Sequence, residues 1–201
     1  VEDGTYIPEK GPESGIPHHY FSCNELILEF QEFEPLEIYI DETNHRVFLG
    51  IKRSRPLVDE VAKAIMQNMD LLQEAGILVD DLNSDEVVEY FSGETPTGDK
   101  TTLYDIIRNK WLLLHELVEL KRLKDMGHKI TSDLIWDNYY DVLCAHVSAT
   151  KEELRIALQY GAYDWVSKRV GIISTWLEDP ELPEEIRRDY SLLQEKYGSP
   201  E

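Results

Sequence analysis

The sequence lacks the features that mark secreted and membrane-spanning proteins. It has two cysteines in 201 residues, too few for the disulfide framework of a secreted domain of this size. No apolar run approaches the roughly 18 residues that a transmembrane helix needs. The first residues also do not have the basic and apolar stretches of a signal peptide. Together these absences predict a cytoplasmic protein that does not enter membranes.

Positive charge is also scarce. The chain has 20 Lys and Arg residues against 40 Asp and Glu residues, which gives a formal net charge of −20 at pH 7. A field of this sign repels phosphate backbones and anionic lipids, and so argues against nucleic acids and membrane surfaces as partners. A protein partner or self-association stays open. The hydrophobic share of 42% is normal for a globular protein and predicts a folded core.

The N-terminal part of the chain predicts a small β-meander. Residues 1–24 contain many prolines and glycines and are expected to form an irregular arm. The apolar residues of 36–40 and 46–51 alternate with a period of two, which is typical of strands, and the turn-forming residues 41–45 join them into a hairpin. A further apolar run at 26–30 is expected to add a third strand.

From residue 54 onward the apolar spacing is helical, and capping residues divide the segment into about six or seven helices. The predicted helices span 54–76, 85–91, 102–126, 133–147, 150–161, 162–177 and 183–198. The fold class is therefore α+β, with the β-meander at 25–53 and the helical body at 54–201. We expect residues 25–201 to form a single domain, with any seam at 93–100.

The long predicted helix carries the first candidate site. His115 and Glu119 are four residues apart and are neighbours on one side of the helix. A histidine and a carboxylate at this spacing can share a divalent metal ion. The pair is not the zinc signature His-Glu-x-x-His, because a glutamate stands at the position of the second histidine.

The same helix resembles a motif of the all-α nucleotide pyrophosphatases. Glu116 and Glu119 form its Glu-x-x-Glu pair, and Asp141 follows in the next helix, where Asn138 replaces a carboxylate of the family pattern. In that family such carboxylates hold magnesium. The resemblance therefore implies a Mg²⁺- or Mn²⁺-dependent nucleotide phosphohydrolase with Glu116, Glu119 and Asp141 as metal ligands.

Helical periodicity favours a different interpretation of these residues. It places Glu116 and Glu119 opposite the apolar stripe of their helix, and Asp141 opposite that of the next, so all three are expected on solvated faces. No cofactor is then expected, with Mg²⁺ or Mn²⁺ as the alternative. His146 lies on an apolar face and is predicted to be a hydrogen-bonded core histidine. His115 and His146 are the candidates for a catalytic role.

The sequence as a whole favours a cytoplasmic protein whose helical body serves as a binding or assembly module. The metal-dependent nucleotide phosphohydrolase is the alternative function. The two interpretations differ in whether the protein is an enzyme, and composition does not decide between them because fold class alone does not fix function.

Overall fold

The computed structural model of the protein describes residues 5–10, 14–15, 18–19, 21–42, 45–52, 57–78, 81, 83–91, 93 and 101–198. In this part of the chain an antiparallel hairpin precedes a mostly helical body, which confirms the α+β class. None of the described helices is both long and apolar enough to cross a membrane. The single domain stays a prediction, and residues 94–100 of its expected seam lie outside the described residues.

Two antiparallel strand pairs lie in the N-terminal part. Strand β1 (Thr5–Tyr6) pairs with β2 (His18–His19) inside the arm that was expected to be irregular. Strand β3 (Phe33–Ile40) pairs with β4 (Arg46–Lys52), with an irregularity in register in the first half of β3. The second pair confirms the hairpin predicted from alternating apolar residues.

Helix α1 (Cys23–Glu29) lies where a third strand was predicted, so that prediction is wrong. The hydroxyl of Ser22 accepts a hydrogen bond from the backbone N–H of Glu25 at 3.0 Å. The Glu25 carboxylate in turn accepts from the backbone N–H of Ser22. This capping box satisfies two backbone donors of the first turn. The helix also buries Leu26 and Ile27 in the core, which a short apolar run can do equally well in either conformation.

Nine helices form the described part of the body. They are α2 (Leu57–Gln67), α3 (Met69–Glu74), α4 (Ser84–Tyr90), α5 (Leu103–Arg108), α6 (Lys110–Asp125), α7 (Leu134–Asp137), α8 (Tyr139–Gln159), α9 (Tyr163–Leu177) and α10 (Glu184–Gly198). Helices α4, α9 and α10 lie within one or two residues of their predicted bounds. With α1, the described part of the chain has ten helices, more than the six or seven expected.

The long helix predicted over 102–126 is divided into α5 and α6. Asn109 has an extended backbone, with φ −121° and ψ 109°. Its side-chain oxygen accepts hydrogen bonds from the backbone N–H groups of Trp111 at 3.0 Å and Leu112 at 3.4 Å. Asn109 therefore caps α6, as asparagine commonly does at a helix start.

Helix α8, in contrast, joins two predicted helices, because it continues through the break expected between residues 147 and 150. Thr150 is fully buried, and its hydroxyl donates to the backbone carbonyl of His146 at 2.8 Å. Such a bond to the preceding turn satisfies a threonine hydroxyl inside a helix. The helix start predicted at Thr150, whose spacing from Glu153 is that of a capping box, is thus an internal turn, and Glu153 is buried.

Helix α6 lies at the centre of the body, where it packs along α8 and against α5. Nine of its 16 residues are buried. Most of them are apolar, but His115 and Glu119 are buried too, with 1% and 4% of their surface exposed. The helix is therefore surrounded, and part of its buried surface is polar.

Candidate metal centre

Five polar or charged residues among those described are buried: His115, Glu119, Thr150, Glu153 and Arg169. The hydroxyl of Thr150 donates to a backbone carbonyl of its own helix. The other four residues come together with His146 between α6, α8 and α9. Burying charged groups is costly unless each is paired or bound to a metal ion. The partners of each side chain therefore decide what this cluster can do.

His115, Glu119 and His146 form the inner part of the cluster. One ligand atom from each residue lies within 4.8 Å of the others. Nε2 of His115 is 3.7 Å from Oε2 of Glu119, one turn away on α6. The ring of His146, on α8, lies edge-on to the ring of His115, with 4.6 Å between centroids.

Glu153 orients His115 from behind. Its Oε2 is 2.7 Å from Nδ1 of His115, and because a carboxylate can only accept, Nδ1 carries the proton. Its Oε1 accepts from Nε1 of Trp165 at 2.5 Å and from Nε of Arg169 at 2.8 Å. These donors fix a fully buried carboxylate, and they leave Nε2 as the nitrogen of His115 that faces Glu119.

Two tyrosines orient the other two side chains. Tyr90, at the end of α4, donates from its hydroxyl to Oε1 of Glu119 at 2.7 Å. The hydroxyl of Tyr190, on α10, is 2.5 Å from Nδ1 of His146. When Nδ1 carries the proton and donates it to this oxygen, Nε2 of His146 presents a lone pair. Each inner residue thus keeps one ligand atom while its other polar atom is bonded.

Two of the inner ligand atoms have no hydrogen-bond partner within the described part of the chain: Nε2 of His115 and Oε2 of Glu119. Their separation of 3.7 Å exceeds the roughly 2.7–3.2 Å of a nitrogen–oxygen hydrogen bond. An unsatisfied buried polar atom costs about 1–3 kcal/mol. A cation in the space between them, either a proton or a metal ion, would remove that cost.

The charges of the cluster are set by its internal contacts. Burial lowers the pKa of His115, but the carboxylates of Glu119 and Glu153 outweigh burial and raise this pKa to about 9. Burial, together with the positive charges of His115 and Arg169, lowers the pKa of His146 to about 4. Burial opposes ionisation of Glu119 and Glu153, yet their hydrogen bonds and cationic neighbours lower both pKa values. At neutral pH the centre therefore holds two carboxylates, a protonated His115 and a neutral His146, and a metal ion would displace the proton from Nε2 of His115.

Two imidazole nitrogens and one carboxylate oxygen suit zinc, manganese, iron, cobalt and nickel better than magnesium or calcium, which prefer oxygen ligands. With bonds of about 2.1 Å, two ligand atoms on one such ion lie roughly 3–4 Å apart. The 3.7 Å between Nε2 of His115 and Oε2 of Glu119 falls in this range, and the widest spacing of 4.8 Å would have to close slightly. Three protein ligands also leave at least one coordination position open.

The structure brings together three of the residues singled out in the sequence, His115, Glu119 and His146. Glu116 and Asp141 are not members of this group, which is the one group with metal-ligand spacing found among the described residues. Glu116 is partly buried, and Asp141 lies on the outer side of α8 with its Oδ2 2.8 Å from Nε2 of His128.

The solvated position expected for Glu119 is wrong. Only 4% of its surface is exposed, because Tyr90 covers the side of α6 that lies opposite the leucine stripe. His146 was expected to be a core histidine bonded through its ring. The contact with Tyr190 confirms the ring bond, and the side chain is partly buried.

Sequence reasoning missed the residues that support the centre: Tyr90, Glu153, Trp165, Arg169 and Tyr190. Glu153 was assigned to a helix start because Thr150 and Glu153 have capping-box spacing. The apolar residues that follow Glu153 could have indicated its burial, since Leu154, Ile156 and Ala157 are all fully buried. A lone carboxylate in such a run is a charge that needs a buried partner.

The comparisons with known proteins add no relative. No family model, no curated protein and no solved structure matches this chain.

Proposed function

We propose that this protein binds one divalent transition-metal ion through His115, Glu119 and His146. The observation that carries the proposal is the pair of buried, unpartnered atoms Nε2 of His115 and Oε2 of Glu119, held 3.7 Å apart. Two ligands of one metal ion have this spacing. At neutral pH a proton on Nε2 of His115 faces the same carboxylate, and a metal ion would take the place of this proton.

The supporting hydrogen bonds favour the same function. Histidines that bind a metal usually donate their second ring N–H to a carboxylate or another oxygen, which fixes the ring and its tautomer. Glu153 is the oxygen partner of Nδ1 of His115, and the hydroxyl of Tyr190 is the oxygen partner of Nδ1 of His146. Metal sites in helical bundles are also built from inward side chains of facing helices, as here on α6 and α8.

Metal titration of the purified protein tests the proposal. After treatment with a chelator, the protein is titrated with Co²⁺, whose visible absorption reports ligand number and geometry, and its Zn²⁺ content is measured by elemental analysis. We expect one ion per chain and a rise in melting temperature. An absence of stoichiometric binding by either ion would remove the metal function.

Two isosteric variants on α6 sharpen this test. Glu119→Gln removes the buried ligand and should weaken Co²⁺ binding by at least about tenfold, since one of three protein ligands is lost. Glu116→Gln removes the same charge from a partly buried position outside the group and should bind Co²⁺ like the wild type. Equal losses in both variants would show that only the acidity of the helix matters.

The functions expected from the sequence stay predictions. These are the helical binding or assembly module, and the Mg²⁺- or Mn²⁺-dependent nucleotide phosphohydrolase that uses Glu116, Glu119 and Asp141. The cytoplasmic location and the absence of nucleic-acid partners stay predictions as well.

Self-association has one observation in its favour and is our second candidate function. The hairpin of β3 and β4 exposes more than half of each of four large apolar side chains: Leu36, Ile40, Leu49 and Ile51. Sedimentation of the wild type and of Leu49→Lys tests it. We expect the wild type to associate and the variant to be monomeric, and a wild type that is monomeric at tens of micromolar would contradict it.

A further inference from the structure

Arg169 has an unused hydrogen-bond donor inside the protein. Only 6% of its surface is exposed, and its Nε donates to Oε1 of Glu153 at 2.8 Å. Its Nη2 has no partner within the part of the chain that the structure describes. The guanidinium carbon lies 5.7 Å from the ring centroid of Trp165 and 5.9 Å from that of Trp176. A buried cationic donor without an acceptor is costly. An anion bound to Nη2 would remove this cost.

The guanidinium lies beside the candidate metal centre. Arg169 and His115 bond opposite oxygens of the same carboxylate, that of Glu153. Arg169 and His146 both contact the ring of Trp176, the histidine with 4.9 Å between centroids. Arg169 is thus joined to His115 through Glu153 and to His146 through Trp176.

The charges of the loaded centre also call for an anion. A divalent metal ion is balanced by the carboxylates of Glu119 and Glu153, and the two histidines bind it as neutral ligands. Among the buried groups the guanidinium of Arg169 then leaves one positive charge without a carboxylate, while Glu116, which is only partly buried, also acts on His115. An unpaired charge in the interior is strongly unfavourable. One negative charge neutralises the centre, whereas a dianion would over-compensate it.

We propose that the metal centre binds a small monoanion of carboxylate type, which takes the open coordination position and accepts a hydrogen bond from Nη2 of Arg169. This inference rests on the proposed metal function. It follows from two independent features, the unpartnered donor and the charge balance. The indoles of Trp165 and Trp176 lie beside the guanidinium, and only 6% of the surface of Arg169 is exposed.

Azide is a suitable probe because it is a small monoanion that binds open metal positions and changes the visible spectrum of Co²⁺. The Co²⁺-loaded full chain is titrated with azide, and then with formate and sulfate in competition. We expect saturable binding of one azide, displacement by formate, and no displacement by sulfate at the same ionic strength. A Co²⁺ spectrum that azide does not change would overturn the inference.

Substitutions of Arg169 test its role. Arg169→Met should still bind one Co²⁺ per chain. Its affinity for azide should fall at least about tenfold, since a hydrogen bond to a charged partner is lost. Arg155→Met is the matched control, because Arg155 pairs with Glu152 near the surface of α8. If Arg169→Met does not fold, Arg169→Lys retains the charge but not the forked donor, and should also weaken azide.

The outcomes separate the two proposals. A wild type that takes up no metal ion refutes the metal function itself. A wild type that binds Co²⁺ but not azide, or Arg169 variants that bind azide like the wild type, leaves the metal function intact and refutes the anion site. Displacement of azide by sulfate as effective as that by formate would refute the preference for a single charge.

Discussion

Replacing Glu153 by glutamine should damage both stability and metal binding, although the two side chains have nearly the same shape. Glu153 accepts hydrogen bonds from His115, Trp165 and Arg169 and has no exposed surface. A glutamine has one accepting oxygen and a donating NH₂ group. If its oxygen serves Trp165 and Arg169, its NH₂ group faces Nδ1 of His115. That nitrogen must then accept, so the proton of the ring moves to Nε2, where the metal ion is expected.

The expected magnitudes follow from these contacts. Removing one partner of a buried ion pair costs about 3–5 kcal/mol, and the glutamine retains part of the hydrogen bonding, so we expect about 3 kcal/mol. For a chain of this size 1 kcal/mol corresponds to roughly 2–4 °C, so the melting temperature should fall by about 6–12 °C. Loss of a group that supports a metal ligand typically weakens metal binding by about 10–100-fold.

Urea denaturation and Co²⁺ titration of Glu153→Gln measure the two effects separately. Glu152→Gln is the matched control on the neighbouring residue. Its carboxylate pairs with Arg155 at 2.8 Å, with both side chains partly exposed, and such pairs contribute about 1 kcal/mol or less. If Glu153→Gln were as stable as the control, the carboxylate would not anchor its three donors. If it bound Co²⁺ as tightly as the wild type, the orientation of His115 would not depend on it.

Further predictions concern the rest of the molecule. Leu114→Ala should cost about 2–5 kcal/mol, because Leu114 is fully buried on α6; a loss below about 1 kcal/mol in urea denaturation would contradict its core position. Asn109→Ala should cost about 1 kcal/mol in urea denaturation through loss of the α6 cap. Moderate NaCl should raise the melting temperature by screening the net charge of −20, and a flat or falling curve would contradict this. Zn²⁺ at a hundred times its Kd should add about 2.7 kcal/mol, while Mg²⁺ should leave the melting curve unchanged.

The parts of the fold that were predictable are those with local causes. Alternating apolar residues and a turn between them define the hairpin of β3 and β4. Helices α9 and α10 have a glycine or proline near their ends, which marks their bounds in the sequence. Helix α1 was missed because its short apolar run fits a strand equally well, and only the capping box at Ser22 distinguishes the two.

The position of Glu119 shows why the site was predicted only in part. Its spacing from His115 is a property of one helix and was visible in the sequence. Its burial depends on Tyr90 of α4, 29 residues away along the chain. A helical wheel shows which residues share a side but not which neighbours cover that side. The same holds for Glu153, which reaches His115 only because α6 and α8 pack along each other.

The polar centre has a consequence for how uniquely the helices are aligned. Apolar side chains tolerate sliding of one helix along another, since leucine packs against many partners. Helix α6 contributes His115 to a bond with Glu153 of α8, and a slip by one helical turn of about 5.4 Å would separate them. Each would then be a buried charge without its partner, at a cost of several kcal/mol. We therefore expect the centre to fix the register of α6 against α8, even in the protein that holds no metal ion.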